Sequence, residues 1–190
     1  MILEPRILHG AHVRLEPIGQ EHRAQMESVL GSDPENWTLQ SVSALGPHFQ
    51  SYWRMMTETP RRITFAAFDP STDGMTGTSS FFDIDRQHKS LEIGYTWFRP
   101  EYRGTRVNPE AKLLMLGHAF DAGALRVQFS VSAANARSQA AMLKLGAKKE
   151  GVLRRHKITW TGASRDTVLF SIVAEEWDEV RKNLRRRLHA

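Results

Sequence analysis

At 190 residues, with 41% hydrophobic and 25% charged side chains, the chain has the size and balance of one globular domain with its own core, which excludes wholesale disorder. No run approaches the roughly 20 apolar residues of a membrane span, and the absence of cysteine removes disulfides, thiolate metal sites and a cysteine nucleophile together. The formal charge of +5 sits in the last ten residues, where Arg181, Lys182, Arg185, Arg186 and Arg187 stand without an acid, while residues 1–180 balance at 21 basic and 21 acidic.

In chain order, MILEPRILHG carries Glu4 and Arg6 and does not read as a secretory signal, so a cytoplasmic setting is expected. His12 to Ile18 reads as a first strand, and its proline points to an edge or an end. Residues 21–30 and 43–56 read as helices, with a polar loop holding Trp37 between them. Ile63 to Phe68 and Met75 to Ile84 read as a strand pair joined by the turn cluster Asp69-Pro70-Ser71-Thr72-Asp73-Gly74. LEIGYTWF alternates, with Leu91, Ile93, Tyr95 and Trp97 on one face and Glu92, Gly94 and Thr96 on the other. After the loop RPEYRGTRVN a helix is expected with Asn108 as N-cap, Pro109 at its first position and Gly123 at its C-terminal cap. LRVQFSV is a period-two strand. Asn135 opens a short helix that ends near Gly146, strands follow at residues 148–153 and 167–173, and a charged helix runs from about Glu175. Strand–helix–strand in the middle implies parallel neighbours, and the hairpins before it antiparallel ones. The expected fold is therefore one α/β (α+β) domain over residues 1–190, a mixed sheet of about seven strands flanked by helices. Its basic end at 181–190 reads as a helix terminus complementing the macrodipole. The other reading, a weak RNA or ribosome contact, lacks the interleaved aromatic residues that nucleic-acid surfaces use.

Three places carry candidate chemistry. Between Phe98 and Pro109 a strand runs through Arg103-Gly104-Thr105-Arg106 into a helix N-terminus, which places unpaired amides, a helix dipole and two guanidinium groups together as a phosphate cradle; a basic surface loop before a capped helix is the plain alternative. Glu92 is a carboxylate in an apolar strand, either facing water or serving as a general base. Asn135 and Ser138 have the spacing of N-cap and N3, a structural role in itself. The eight histidines show no metal-ligand spacing, so no metal is expected. Trp37 and Trp160 fall in loops and are candidates for lining a pocket.

Together, EIGY, PEYRG before a helix, N-x-x-S, KLGA, EGVLRRH and the late RD-x-V-L-F-S strand resemble the GNAT N-acetyltransferases, in particular the branch that acetylates ribosomal-protein N-termini. The resemblance implies a splayed sheet that admits acetyl-CoA, as co-substrate, between its fourth and fifth strands, with LEIGYTWF as the fourth. It further implies that the backbone of Trp97 and Phe98 pairs with pantetheine, that Arg103, Gly104, Thr105, Arg106, Val107 and Asn108 hold the pyrophosphate, that Asn135 bonds the pantetheine arm, and that Ser138 sits by the thioester sulfur. Trp37 and Trp160 match the acceptor-binding loops by location. The family's phosphate loop has a small residue where Arg106 stands, and Met142 occupies the place of the tyrosine that some members use as a general acid. An ammonium of pKa about 10 must lose its proton before it attacks a thioester. Glu92 is the titratable group expected to take it, with Ser138 a candidate acid. The expected activity is acetyl transfer to a primary amine, a peptide N-terminus or a small molecule. A non-catalytic CoA-binding protein or a ribosome-associated protein of the same fold is the alternative, and a homodimer is left open.

Overall fold

The computed structural model describes residues 1–189, so Ala190 of the basic end lies outside the described residues. Eight strands form one sheet: β1 (Leu8–His9), β2 (Arg14–Pro17), β3 (Ile63–Phe68), β4 (Met75–Asp85), β5 (Ser90–Phe98), β6 (Arg126–Ser132), β7 (Lys148–Ile158) and β8 (Ser164–Val173), in the spatial order β1-β2-β3-β4-β5-β6-β8-β7. The strand beyond the expected seven is the two-residue β1, which makes LEIGYTWF the fifth in chain order. Only β5 and β6 run parallel; every other neighbour pair is antiparallel. No helix among the described residues is long and apolar enough to cross a membrane.

Among the described residues, five α-helices cover the two faces: α1 (Arg23–Gly31), α2 (Phe49–Glu58), α3 (Val107–Asp121), α4 (Ala136–Leu145) and α5 (Trp177–His189). The larger core joins α3 and α5 to the sheet through Phe65, Phe81, Ile93, Met115, Phe129 and Phe170. A second core packs Met26, Leu30, Phe49, Trp53 and Met56 of α1 and α2 against Ala66, Met75 and Trp97 on the opposite face. Helix α2 starts at Phe49 rather than at residue 43, because Gly46-Pro47-His48 forms a separate 3-10 turn.

The regular alternation expected of β5 does not hold. Thr78 pairs with Trp97, yet two residues later Ser80 pairs with Gly94, so β5 carries an extra residue, and Tyr95 takes a φ of +50°. The bulge turns the following side chains over. Leu91 and Ile93 enter the larger core, whereas Tyr95 and Trp97 pack in the second. Just before it, β5 parts from β6. Their parallel ladder runs from Ser90↔Arg126 to Glu92↔Gln128 and stops, although both strands continue for several residues.

Candidate functional site

The parting strands open a cleft of about 540 Å³. One wall is β5 from Ile93 to Phe98, the other is β6 from Phe129 to Ser132, and the mouth is formed by the loop before α3 and the start of α4. On its β6-facing side β5 has no strand partner beyond Glu92, so the backbone there is available to an extended ligand.

At the mouth, Gly104 adopts φ +76°, where a side chain would meet open space; glycine is required by the backbone conformation, not by crowding. Helix α3 begins at Val107 with Arg106 as N-cap, two residues earlier than expected, and Val107 is buried in the larger core. Asn108 therefore lies inside the first turn, lines the cleft, and has a buried Oδ1 with no protein partner. The amides of Gly104, Thr105, Arg106 and Asn108 make no hydrogen bond among the described residues; the Thr105 hydroxyl donates to Tyr102 O at 2.7 Å and accepts from the Val107 amide at 3.3 Å. This is a concave set of donors at a helix start, suited to an anion.

The two arginines of this loop do not share the expected role. Arg103 donates through Nε to Phe98 O at 2.9 Å, pairs with Asp33, and lies 5.8 Å over the Trp97 ring. Its guanidinium is satisfied by the protein and braces the loop. Arg106 is exposed and does not line the cleft. On α4, Asn135 Oδ1 accepts from the Ser138 amide at 3.0 Å, so the expected N-cap is present, and both residues line the cleft with Met142. The cap consumes only the carbonyl oxygen of Asn135 and leaves its amide donors.

Glu92 is 7% exposed, so it does not face water, and it is not brought into the lining of the cleft. It occupies the last rung before the strands part, between Phe82 of β4 and Gln128 of β6. Burial raises its carboxyl above the ordinary value, opposed by hydrogen bonding from Ser130 and Gln128; Gln128 Nε2 donates to Oε2 at 3.1 Å. Ser130, one of the groups hydrogen-bonded to this carboxylate, does line the cleft.

Trp37 lines the cleft, edge-on to Tyr52 with ring centroids 5.3 Å apart, and donates to Leu30 O at 3.1 Å. Trp160 does not line it: its Nε1 donates to Trp37 O at 2.9 Å, so it supports the loop from outside.

Two features escaped the sequence reading. Lys112 on α3 is 4% exposed, lines the cleft, and donates from Nζ to Thr96 Oγ1 at 2.8 Å. With no carboxylate beside it, burial pulls its ammonium down to about 7. The signal was present, since an amphipathic reading of EAKLLMLGHAF puts Lys112 on the same face as Met115, Leu116 and Ala119. The second is electrostatic. Arg103, Lys112, Arg137, Lys144, Arg165 and Arg187 line the cleft, and among the described residues no Asp or Glu does. Arg187, from the basic end, turns inward and donates to Lys144 O at 3.1 Å. Buried polar atoms are as a rule hydrogen-bonded, and of seven buried side-chain atoms without a partner, four (Trp97 Nε1, Asn108 Oδ1, Ser132 Oγ and Arg165 Nε) belong to residues of this lining. Unspent donors and acceptors thus converge where a ligand would lie.

Known proteins share this architecture. Residues 12–148 match the family model of the acetyltransferase (GNAT) domain. A T. thermophilus protein assigned as an acetyltransferase is 35% identical, with a TM-score of 0.89 over 99% of this chain and 100% of its own. The uncharacterized N-acetyltransferase YoaA of Bacillus subtilis (strain 168) is 33% identical over 103 residues, and the matched segment spans 54% of this chain and 57% of that relative. Mycobacterium smegmatis RimJ, solved in complex with CoA-disulfide, has the same fold at a TM-score of 0.81 and 22% identity, over 96% of this chain and 95% of its own.

Proposed function

This chain belongs to the GNAT acetyltransferase family, and on that premise we propose that its cleft binds acetyl-CoA and passes the acetyl group to a primary amine. The observation that carries the reading is the parallel ladder that ends at Glu92↔Gln128, with unpaired amides of the Gly104–Asn108 loop at the mouth of the gap. Acetyl-CoA supplies an acyl group activated as a thioester; the chain supplies position and proton handling. The amides of Gly104, Thr105, Arg106 and Asn108 hold the pyrophosphate, helped by the α3 dipole, with Val107 anchoring the turn from the core. The free edge of β5 through Trp97 and Phe98 pairs with pantetheine, and the Asn135 amide donates to it. That M. smegmatis RimJ, which has the same fold, was solved with CoA-disulfide supports this assignment. Arg137, Lys144 and Arg187 suit the nucleotide phosphates at the outer mouth.

The acceptor ammonium gives its proton to Ser130 at the cleft wall, and Glu92 receives it at its carboxylate. A base with a raised pKa is suited to that task near neutral pH. Met142 has no proton for the departing thiolate. Ser138 is one donor in the lining; Lys112 Nζ, protonated below about pH 7, is the other. The test is titration calorimetry with acetyl-CoA, followed by transfer of labelled acetyl to a panel of amines. Micromolar binding followed by labelled amide is expected. Absence of acetyl-CoA binding overturns the reading of the cleft, and binding without transfer to any amine overturns catalysis by it.

A further inference from the structure

The cations of the cleft do not all have the same explanation. Arg137, Lys144 and Arg187 stand at the nucleotide mouth, Arg103 is neutralised by Asp33, and Lys112 is buried against Thr96. Arg165 is left over. It projects from β8 toward the opposite wall, where Trp37, Gln40, Tyr52 and Tyr95 line the cleft. Its Nη1 donates to Leu39 O at 2.6 Å, which fixes the guanidinium against the loop, while Nε is buried with no partner. No carboxylate acts on it; burial is the leading influence, and it lowers the affinity of this guanidinium for its proton. A partly dehydrated cation without an anion is costly unless a ligand completes it. A wall that offers a fixed guanidinium and no acid also repels polycationic amines.

Resting on the acetyl-transfer reading, we infer that the acceptor is a primary amine that also bears a carboxylate, and that Arg165 binds this carboxylate beside the aromatic wall of Trp37, Tyr52 and Tyr95. The nucleophilic nitrogen then lies toward Ser130 and the acid group toward β8. The carboxylate comes either from a free amino acid or from an acidic residue next to a peptide N-terminus; both present the same anion at short range from the amine. Polyamines and other polycations are rejected, because their second charge meets Arg165.

Matched acceptors read this directly. One pair is L-phenylalanine and phenethylamine; the other is an alanyl-aspartyl peptide amide and its alanyl-asparaginyl counterpart. At saturating acetyl-CoA, the carboxylate-bearing member of at least one pair is expected to have a kcat/KM about 10- to 100-fold higher, the range of one charge-assisted hydrogen bond. The pair that shows the preference identifies the source. Arg165→Met removes the preference by lowering the preferred member alone, and Arg165→Lys restores part of it, with acetyl-CoA affinity unchanged in both. A role confined to holding Leu39 would instead lower both members together. Independently of turnover, titrating the N-acetylated product while following tryptophan fluorescence should give binding that Arg165→Met weakens by the same factor. Equal rates within both pairs, or a preference that survives Arg165→Met, overturns the inference. Transfer to none of the four, nor to any other amine, defeats the acetyl-transfer reading itself.

Discussion

Replacing Lys112 by methionine, which has similar length and no charge, removes the most deeply buried cation of the cleft. In the folded chain its ammonium titrates at about 7, against 10.5 in an unfolded chain. At about 1.4 kcal/mol per pKa unit the charged form is disfavoured by folding on the order of 4–5 kcal/mol. The sign follows from proton counts. Between about pH 7 and 10.5 the unfolded chain holds a proton on Lys112 that the folded chain has released, so folded stability rises with pH across that window and is flat with respect to this group below it. The methionine variant lacks this dependence. Its stability advantage over the wild-type protein is therefore expected to be largest at pH 6–7 and to shrink by about 2–3 kcal/mol at pH 9. Urea melts of both proteins at several pH values, compared through their midpoints and slopes, measure the difference. A difference that stays constant from pH 6 to pH 9 would mean that Lys112 remains charged throughout, and the account of a neutral amine in the cleft would fail.

Glu92→Gln is expected to lower turnover by about 10²- to 10⁴-fold at neutral pH while leaving acetyl-CoA affinity unchanged. Because burial raises the Glu92 pKa, the folded wild-type chain loses stability as pH rises through that value, so the variant is expected to melt no lower than wild type at neutral pH; a lower melt would assign Glu92 to structure. Glu110→Ala deletes the carboxylate that accepts from the amides of Ala11, His12 and Val13 at 3.0, 2.6 and 2.9 Å. Stranding these donors costs about 2–4 kcal/mol and lowers Tm by roughly 5–15 °C; calorimetric scanning checks it, and an unchanged Tm would show that water replaces the carboxylate freely. Arg103→Met frees Phe98 O and Asp33, and acetyl-CoA affinity is expected to fall about tenfold through a loosened loop, equally at low and high salt. A loss confined to low salt would instead mark Arg103 as a direct phosphate ligand.

The local parts of the fold were legible in the sequence. Ile63–Phe68 is the strand its composition describes, Asn135 caps the helix it precedes, and Gly123 and Gly146 take left-handed φ values just past α3 and α4. Gly104, in the loop before α3, and Trp97 and Phe98, at the end of β5, line the cleft. What could not be read depends on partners far along the chain. The positive φ of the bulge falls on Tyr95 rather than on the neighbouring Gly94, and it is set by the register of β5 with Thr78 and Ser80. Arg103 reads as a phosphate ligand until Asp33, 70 residues earlier, is found beside it. Glu92 reads equally as facing water or serving as a base until Gln128, across the ladder, is found hydrogen-bonded to it on the closed rung. Trp160 needed contacts with Trp37, 123 residues away, to be recognised as a support.

Among the described residues, the ladder from Ser90 to Glu92 is the one strand pairing that joins the first five strands to the last three. Two arrays of peptide groups are thus seamed along three rungs and held apart beyond them. An extended molecule seated in the gap acts as an interposed strand, completing both arrays at once. Occupancy and rigidity are then linked by mass action: a ligand at a hundredfold excess over its Kd adds about 2.7 kcal/mol to the folded state. On the proposed reading of the cleft, the sheet of the working protein is completed by its substrate.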